Sequence, residues 1–378
     1  MFHILFTLEH YALPFIAVIS VVVFVHEFGH YWVARRCGIR ILTFSIGFGR
    51  RLFSWTDKHG TQWQVAWLPM GGYVKMFGDT GPASTPDPSV AAMTEEEKKV
   101  SFFYQSVNKR MAVVFAGPAI NYIFAIVLLS ILFVFQGQPF APPLIGKIQD
   151  NGVAAHAGLL SGDKVVSIDG EKVDNFDDIK RIISFNTGTP VAVEIERNNV
   201  PQTITLTPEV SLQTDRFGGE HHLGKIGVIS QNFDYKKWSP DQAVKQAVIA
   251  SWTLTASTLK AIGQMIMGTR GSEEIGGPLR IAEMSGHIAQ EGAWSLVWFM
   301  AIISINLGLV NLFPVPLLDG GHLMFYAFER VFGRPLKERT QEIGFRIGLA
   351  LVVSLMVFAT WNDLVHLGVI SSIRSLFS

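Results

Sequence analysis

Four stretches of the chain are apolar for long enough, or nearly so, to cross a bilayer as a helix, which takes about 20 residues. They run from about Tyr11 to Ala34, Ala112 to Phe135, Trp294 to Leu318 and Ile343 to Trp361. The second and third hold no charge, and the fourth is shorter, with Arg346 near its start. Between the second and third the pattern changes. From Leu144 to Glu209, β-rich runs at Lys164–Ile168, Val191–Ile195 and Thr203–Leu206 alternate with Gly and Asp turns. A helix is expected near Asp177–Ile183, so this segment reads as a small soluble β domain with a helix. Gln62 to Val74 mixes aromatic and β-branched with polar residues and is broken by Pro69, Gly71 and Gly72, a strand and turn. Gly81–Ser89 reads as an exposed loop and Glu95–Lys99 as a solvated helical face. Ser239–Met267 reads as one or two amphipathic helices, lying on the membrane surface or packed on the soluble domain. No internal repeat is visible.

Charge placement orients the spans. The loop from Arg35 to Arg110 is dense in Lys and Arg, and the loop after the third span carries Arg330, Arg334, Lys337 and Arg339. Short loops of this kind stay in the cytoplasm, which puts both termini and residues 136–291 on the other side. The first Lys or Arg is Arg35, beyond the first apolar run, so a cleaved signal peptide is not expected. The chain is 49% hydrophobic and 16% charged; soluble domains carry about 25% charged residues. Lipid is therefore part of its solvent. Zero net charge gives no pull toward nucleic acid. The single cysteine, Cys37, excludes a disulfide framework and a cysteine zinc knuckle.

The apolar run Val21–Val25 leads directly into His26-Glu27-Phe-Gly-His30. On a helix, positions four apart share a face, so the two histidines can hold one metal ion. Glu27, one step round, can reach a metal-bound water as general base. Zinc suits this work, since it lowers the pKa of bound water to about 7 and polarises a carbonyl. Histidines in helices are more often structural than ligating, but titratable groups inside a span are costly and usually functional. Two histidines leave a tetrahedral zinc short of a protein ligand. The best candidate is Asp319, in Asn311-Leu-Phe-Pro314-Val-Pro316-Leu-Leu-Asp319-Gly320-Gly321-His322. Broken backbone at membrane depth lines cavities, and topology brings Asp319 to the depth of His26 and His30. His322 remains a rival third ligand or a supporting group. His221, His222, His287 and His366 read as structural or surface residues.

These residues resemble the site-2 protease family of intramembrane metalloproteases. Further matches are Pro69-Met-Gly71-Gly72-Tyr73-Val74-Lys75-Met76, Phe115-Ala-Gly117-Pro118-Ala-Ile-Asn121 and Gly276-Gly277-Pro278. The resemblance implies that His26, His30 and Asp319 bind Zn2+ and that Glu27 is the catalytic base. It implies that Asn311 binds substrate backbone or the oxyanion. It also implies that Gly71, Gly72, Tyr73, Val74, Lys75 and Met76 form a membrane-dipping β-loop that pairs with an extended substrate, as strand addition would unwind a helical one. Ala157-Gly158-Leu159 through Gly170 resembles a PDZ domain. The nearest branch of the family carries two in tandem; one is found here.

The expected architecture is an α-helical polytopic membrane protein of about four transmembrane helices. It has a cytoplasmic membrane-associated β-loop and one inserted extracytoplasmic α+β PDZ-like domain. Residues 1–140 would form the first part of the membrane core, 141–212 the PDZ-like domain, 213–292 a linker with amphipathic helices, and 293–378 the second part of the core. The implied enzyme is an intramembrane zinc metalloendopeptidase of a bacterial inner membrane, with its active site near the cytoplasmic side. Its partners would be membrane lipid and single-pass membrane proteins, such as an anti-sigma factor already cut by a site-1 protease, or remnant signal peptides. Nucleic acid is not expected. A non-catalytic PDZ scaffold is disfavoured by Glu27, and a tethered protease of soluble substrates by the placement of the motif inside a span.

Overall fold

A chain this apolar hides its backbone polar groups in lipid by closing them into helices. The computed structural model describes residues 8–78, 93–186, 188–214, 220–230, 234–268 and 276–366. The expected loop Gly81–Ser89 and the side chains of His221, His222 and His366 lie outside the described residues. Helix α1 (Leu13–Arg36) starts on Pro14 and ends with Arg35 and Arg36 in its last turn, where cations favour the helix dipole. Gly38, at φ +81°, turns the chain out of the helix. Strands β1 (Ile41–Thr56) and β2 (Gln62–Met76) follow. Thr43 pairs with both Lys75 and Gln62, while Phe53 pairs with Val65. The two strands therefore bend into four ribbons, ordered 72–76, 41–46, 62–66 and 51–56. Stacking of Phe44 on Trp63, with ring centroids 4.3 Å apart, holds the sheet to Tyr31 of α1. The expected solvated face is helix α2 (Glu95–Val100), started by a Thr94–Glu97 capping box.

Helix α3 (Val107–Phe135) carries Pro118 inside it. The inserted segment then runs through strands β3 (Gln138–Phe140) and β4 (Ile145–Ile148), helix α4 (Val153–His156), strands β5 (Lys164–Ile168) and β6 (Glu171–Lys172), and helix α5 (Phe176–Phe185). Strands β7 (Val191–Arg197), β8 (Val200–Leu206), β9 (Glu209–Thr214), β10 (Glu220–Lys225), β11 (Val228–Ser230) and β12 (Asp234–Lys236) complete it. An antiparallel sheet in the order β6-β5-β7-β8 packs α5 over a core that includes Val165, Ile168, Phe176, Ile179 and Val193. The β7–β8 turn uses Asn198 and Asn199, both at positive φ, the geometry a two-residue hairpin requires. Strand β11 returns to pair with β4, Val228 opposite Ile148, so residues beyond 212 also build this unit. Of the described residues, those within 132–243 and 259–272 form one compact unit, and those within 1–131, 244–258 and 273–378 the other.

Helix α6 (Pro240–Ile266) buries small and hydroxyl residues, Ala247, Ser251 and Thr255, and exposes Val248, Trp252 and Ile266. That inverted pattern suits lipid on its outer face. Helices α7 (Pro278–Glu291), α8 (Ala293–Asn311), α9 (Asp319–Phe332) and α10 (Glu338–His366) complete the membrane unit. Among the described residues, four helices are long and apolar enough to span: His10–Arg36, Val107–Phe135, Ala293–Asn311 and Arg339–Val365. The third ends at Asn311, seven residues before the expected Leu318. Pro314 and Pro316 stop it, since proline lacks the N–H a helix needs and restrains its predecessor. Val18 and Val22 of α1 pack with Phe299 of α8, which fixes the first and third spans side by side.

Candidate metal centre

The buried face of α1 reads Val18, Val22, His26, Gly29 and His30, the three-and-four spacing of one helix stripe. The His motif thus points into the bundle. Gly29 lets α3 approach, because a Cβ there would lie 2.5 Å from Ala116 O. Gly117 of α3 faces the imidazoles: a Cβ would overlap His30 Nε2 and lie 2.9 Å from His26 Cε1. After α8 the chain reverses through Leu312–Leu318, with Leu317 at φ +107°, a strained value for a side-chain-bearing residue. Gly320 and Gly321 pack against the carbonyls of Phe313 and Val315 with no room for a side chain. This tight reversal delivers Asp319, the first residue of α9, back to α1.

His26 Nε2 lies 3.1 Å and His30 Nε2 3.5 Å from Asp319 Oδ2, and the two Nε2 atoms are 3.2 Å apart. Both histidines are under 10% exposed. His30 Nδ1 donates to Val113 O at 2.9 Å, so a neutral His30 keeps a bare Nε2. Asp319 Oδ2 is buried with no hydrogen-bond partner. Bare lone pairs thus converge in a buried place, an arrangement that a bound cation relieves. A tetrahedral ion with bonds of about 2.0–2.1 Å sets its ligand atoms roughly 3.3–3.4 Å apart. The separations observed bracket that value, so the three residues fit zinc with a fourth position left over. Among the described residues these are the His, Cys, Asp or Glu side chains that meet as a metal-binding group, and His322 is not in it. Its ring lies 5.3 Å from that of Phe345 and 6.4 Å from that of Tyr326.

A cavity of about 260 Å³ opens onto the group. Glu27, Asn311 and His322 line it, as do Gly71, Gly72, Tyr73, Val74 and Met76, whereas Lys75 does not. Gly72 brings the backbone against the site: a Cβ there would lie 3.1 Å from Glu27 Cγ and 2.6 Å from Ser45 O. The outer ribbon of the sheet therefore runs beside the carboxylate. His287 stands apart, edge-on to Tyr11 at 5.4 Å. Gly117, Asn121 and the Val113 carbonyl also reach the histidines, and no spacing rule within α3 announces them, because their partners lie more than 80 residues away.

Two histidines of a span-length helix meet an aspartate just beyond another in a group that could hold a metal ion, with a carboxylate beside it, the arrangement of a membrane-embedded metalloprotease. Residues 14–355 match Peptidase family M50, and the chain belongs to that family, the site-2 proteases. It is 43% identical over 362 residues to a provisionally named zinc metalloprotease of Agrobacterium fabrum, covering 94% of this chain and 96% of that one. It is 34% identical to metalloprotease MmpA of Caulobacter vibrioides, covering 96% and 97%. Zinc is the metal of this membrane protease. The PDZ domain of an SdrC-like protein from Listeria monocytogenes aligns with 24% of this chain and 88% of its own at 18% identity, with a TM-score of 0.18, a likeness too slight to bear on function.

Proposed function

We propose that this protease cuts the transmembrane segments of single-pass membrane proteins after a first protease has shortened them. The observation that carries the reading is the adjacency of a three-donor group, two donors on a spanning helix and one just beyond another, to the outer ribbon Gly72–Met76. A helical substrate hides its peptide bonds; one laid along a strand edge presents them extended. In this reading His26, His30 and Asp319 hold the zinc. When bound, it supplies a Lewis acid that polarises the scissile carbonyl and acidifies water. Glu27 takes the proton from the attacking water and passes it to the leaving amine. Asn311, at the end of α8, donates to the substrate backbone or the developing oxyanion. Gly71, Gly72, Tyr73, Val74, Lys75 and Met76 seat the extended strand.

Anti-sigma factors and remnant signal peptides are the substrate classes proposed, in a bacterial inner membrane. The basic loops support a cytoplasmic catalytic side and an extracytoplasmic inserted domain, read as PDZ-like. That domain carries a groove of about 110 Å³ between α5 and Gly224–Val228, lined by Ile179, Ile183 and Ile226. Such a groove suits capture of a trimmed chain end. The test is an assay with full-length and truncated membrane-embedded reporters, each with and without a zinc chelator. The truncated reporter is cut, the full-length one is spared, and chelation abolishes cutting. Equal cutting of both reporters removes the need for trimming, and cutting in chelator removes the metal.

A further inference from the structure

The ring nitrogen of His26 that faces away from Asp319 also has a neighbour. Asn121 Nδ2 lies 3.2 Å from His26 Nδ1. Asn121 is fully buried, and its Oδ1 has no hydrogen-bond partner. A neutral imidazole that offers Nε2 to a metal carries its proton on Nδ1. An N–H would then face an NH2, two donors opposed, while an acceptor lies orphaned on the same amide. Half a turn of that amide exchanges its O and N, which occupy nearly the same shape. The exchange gives the Nδ1 proton an acceptor and the orphan oxygen a donor in one move.

We infer that Asn121 is the positioning residue for His26: its side-chain oxygen accepts the Nδ1 proton and fixes the tautomer and ring plane that leave Nε2 bare. The inference rests on the zinc-centre reading above. It makes Asn121 the counterpart of the Val113 carbonyl, which does the same for His30. Both contacts come from α3, one on each side of Pro118. Asn121 is itself anchored, since the fully buried Ser304 of α8 donates its Oγ–H to the Asn121 carbonyl at 2.9 Å. The residue that steers His26 is thereby tied to the helix that leads to Asp319.

The test is zinc affinity by chelator competition on the purified full-length protein, for wild type, His26→Ala, Asn121→Leu and Asn121→Asp, with a thermal melt of each. Asn121→Leu keeps the volume and removes the acceptor, and zinc weakens by about 10–100-fold, the usual loss for a support of a metal ligand. Asn121→Asp restores an acceptor, and a charged one is stronger, so zinc binds more tightly than in wild type. Wild-type affinity in Asn121→Leu overturns the inference, as does equal weakening in both variants, which marks mere packing. If Asn121→Leu fails to fold, Asn121→Asp decides: zinc held more tightly than in wild type, as a charged acceptor on Nδ1 predicts, supports the positioning role, and zinc at or below wild-type affinity overturns it. Wild-type protein that binds no zinc, or His26→Ala that binds it unchanged, overturns the parent reading and this one with it. Zinc that depends on His26 but not on Asn121 overturns this one alone.

Discussion

Gly117→Ala separates the needs of the helix from those of the metal. In an ordinary helix, alanine for glycine stabilises by roughly 1 kcal/mol. At position 117 the new methyl would overlap His30 Nε2 and lie 2.5 Å from its Cε1 and 2.9 Å from His26 Cε1. Ordinary contacts between such atoms are about 3.5 Å, so the His30 ring or α3 must retreat by about 1 Å. Metal–ligand distances tolerate about 0.2 Å, so the shift takes one ligand off the ion. A four-ligand zinc site is worth about 10–16 kcal/mol, roughly 3 kcal/mol per ligand, which corresponds to zinc binding on the order of 100-fold weaker. The assay is chelator competition for zinc in detergent, with a thermal melt of the metal-free protein beside it. The expected result is a metal-free melt within a few degrees of wild type together with the loss of zinc and of cleavage. A Gly117→Ala protein that holds zinc with wild-type affinity refutes the geometry.

The remaining predictions concern the base, the soluble unit and acid. Glu27→Gln retains zinc and loses about 10²–10⁴-fold in cleavage rate, the range for a general base; a membrane-embedded reporter cut at the wild-type rate removes Glu27 from that role. Arg197 grips Asp163 with two hydrogen bonds of 2.7 Å, and Asp163 is 1% exposed. Arg197→Ala strands that carboxylate and destabilises the inserted unit by about 3 kcal/mol, read as faster hydrogen exchange across β5 and β7; unchanged protection contradicts it. Burial alone would raise the Asp163 pKa, but hydrogen bonds from Arg197 and the Leu160 N–H outweigh it and hold the group below its ordinary value. Because the folded pKa is depressed, this stability is present above the unfolded value of about 3.9 and is lost as pH falls through the folded one. In Arg197→Ala burial is no longer offset by the guanidinium, so protonation neutralises the stranded carboxylate and the stability gap between variant and wild type narrows as pH falls, as circular dichroism across a pH series would show.

The parts of the centre legible in the sequence are those set by local periodicity. His26, Glu27 and His30 fall on one turn of a helix whose apolar surroundings leave no packing use for three titratable groups. Asp319 was legible because Pro314, Pro316 and two glycines mark a reversal at the depth of the histidines, which ranked it above His322. Those same prolines end the third helix at Asn311, because the apolar run continues past the point where the backbone can stay helical. Gly117 and Asn121 stood in a motif, but their purpose did not, since a missing Cβ matters only once α3 lies against α1. Strand β11 was equally hidden: its partner β4 lies about 80 residues earlier, and a three-residue run carries too little pattern to show the pairing.

The most direct measurement is X-ray absorption at the zinc edge of the purified full-length protein, compared with Asp319→Ala and His26→Ala. Wild type is predicted to show a nitrogen and oxygen shell at about 2.0–2.1 Å with the scattering of two imidazoles. His26→Ala is predicted to lose one imidazole, and Asp319→Ala most of its zinc. Near-stoichiometric zinc with an unchanged two-imidazole shell in both variants would contradict the account, and retention in Asp319→Ala alone would pass the third ligand to His322.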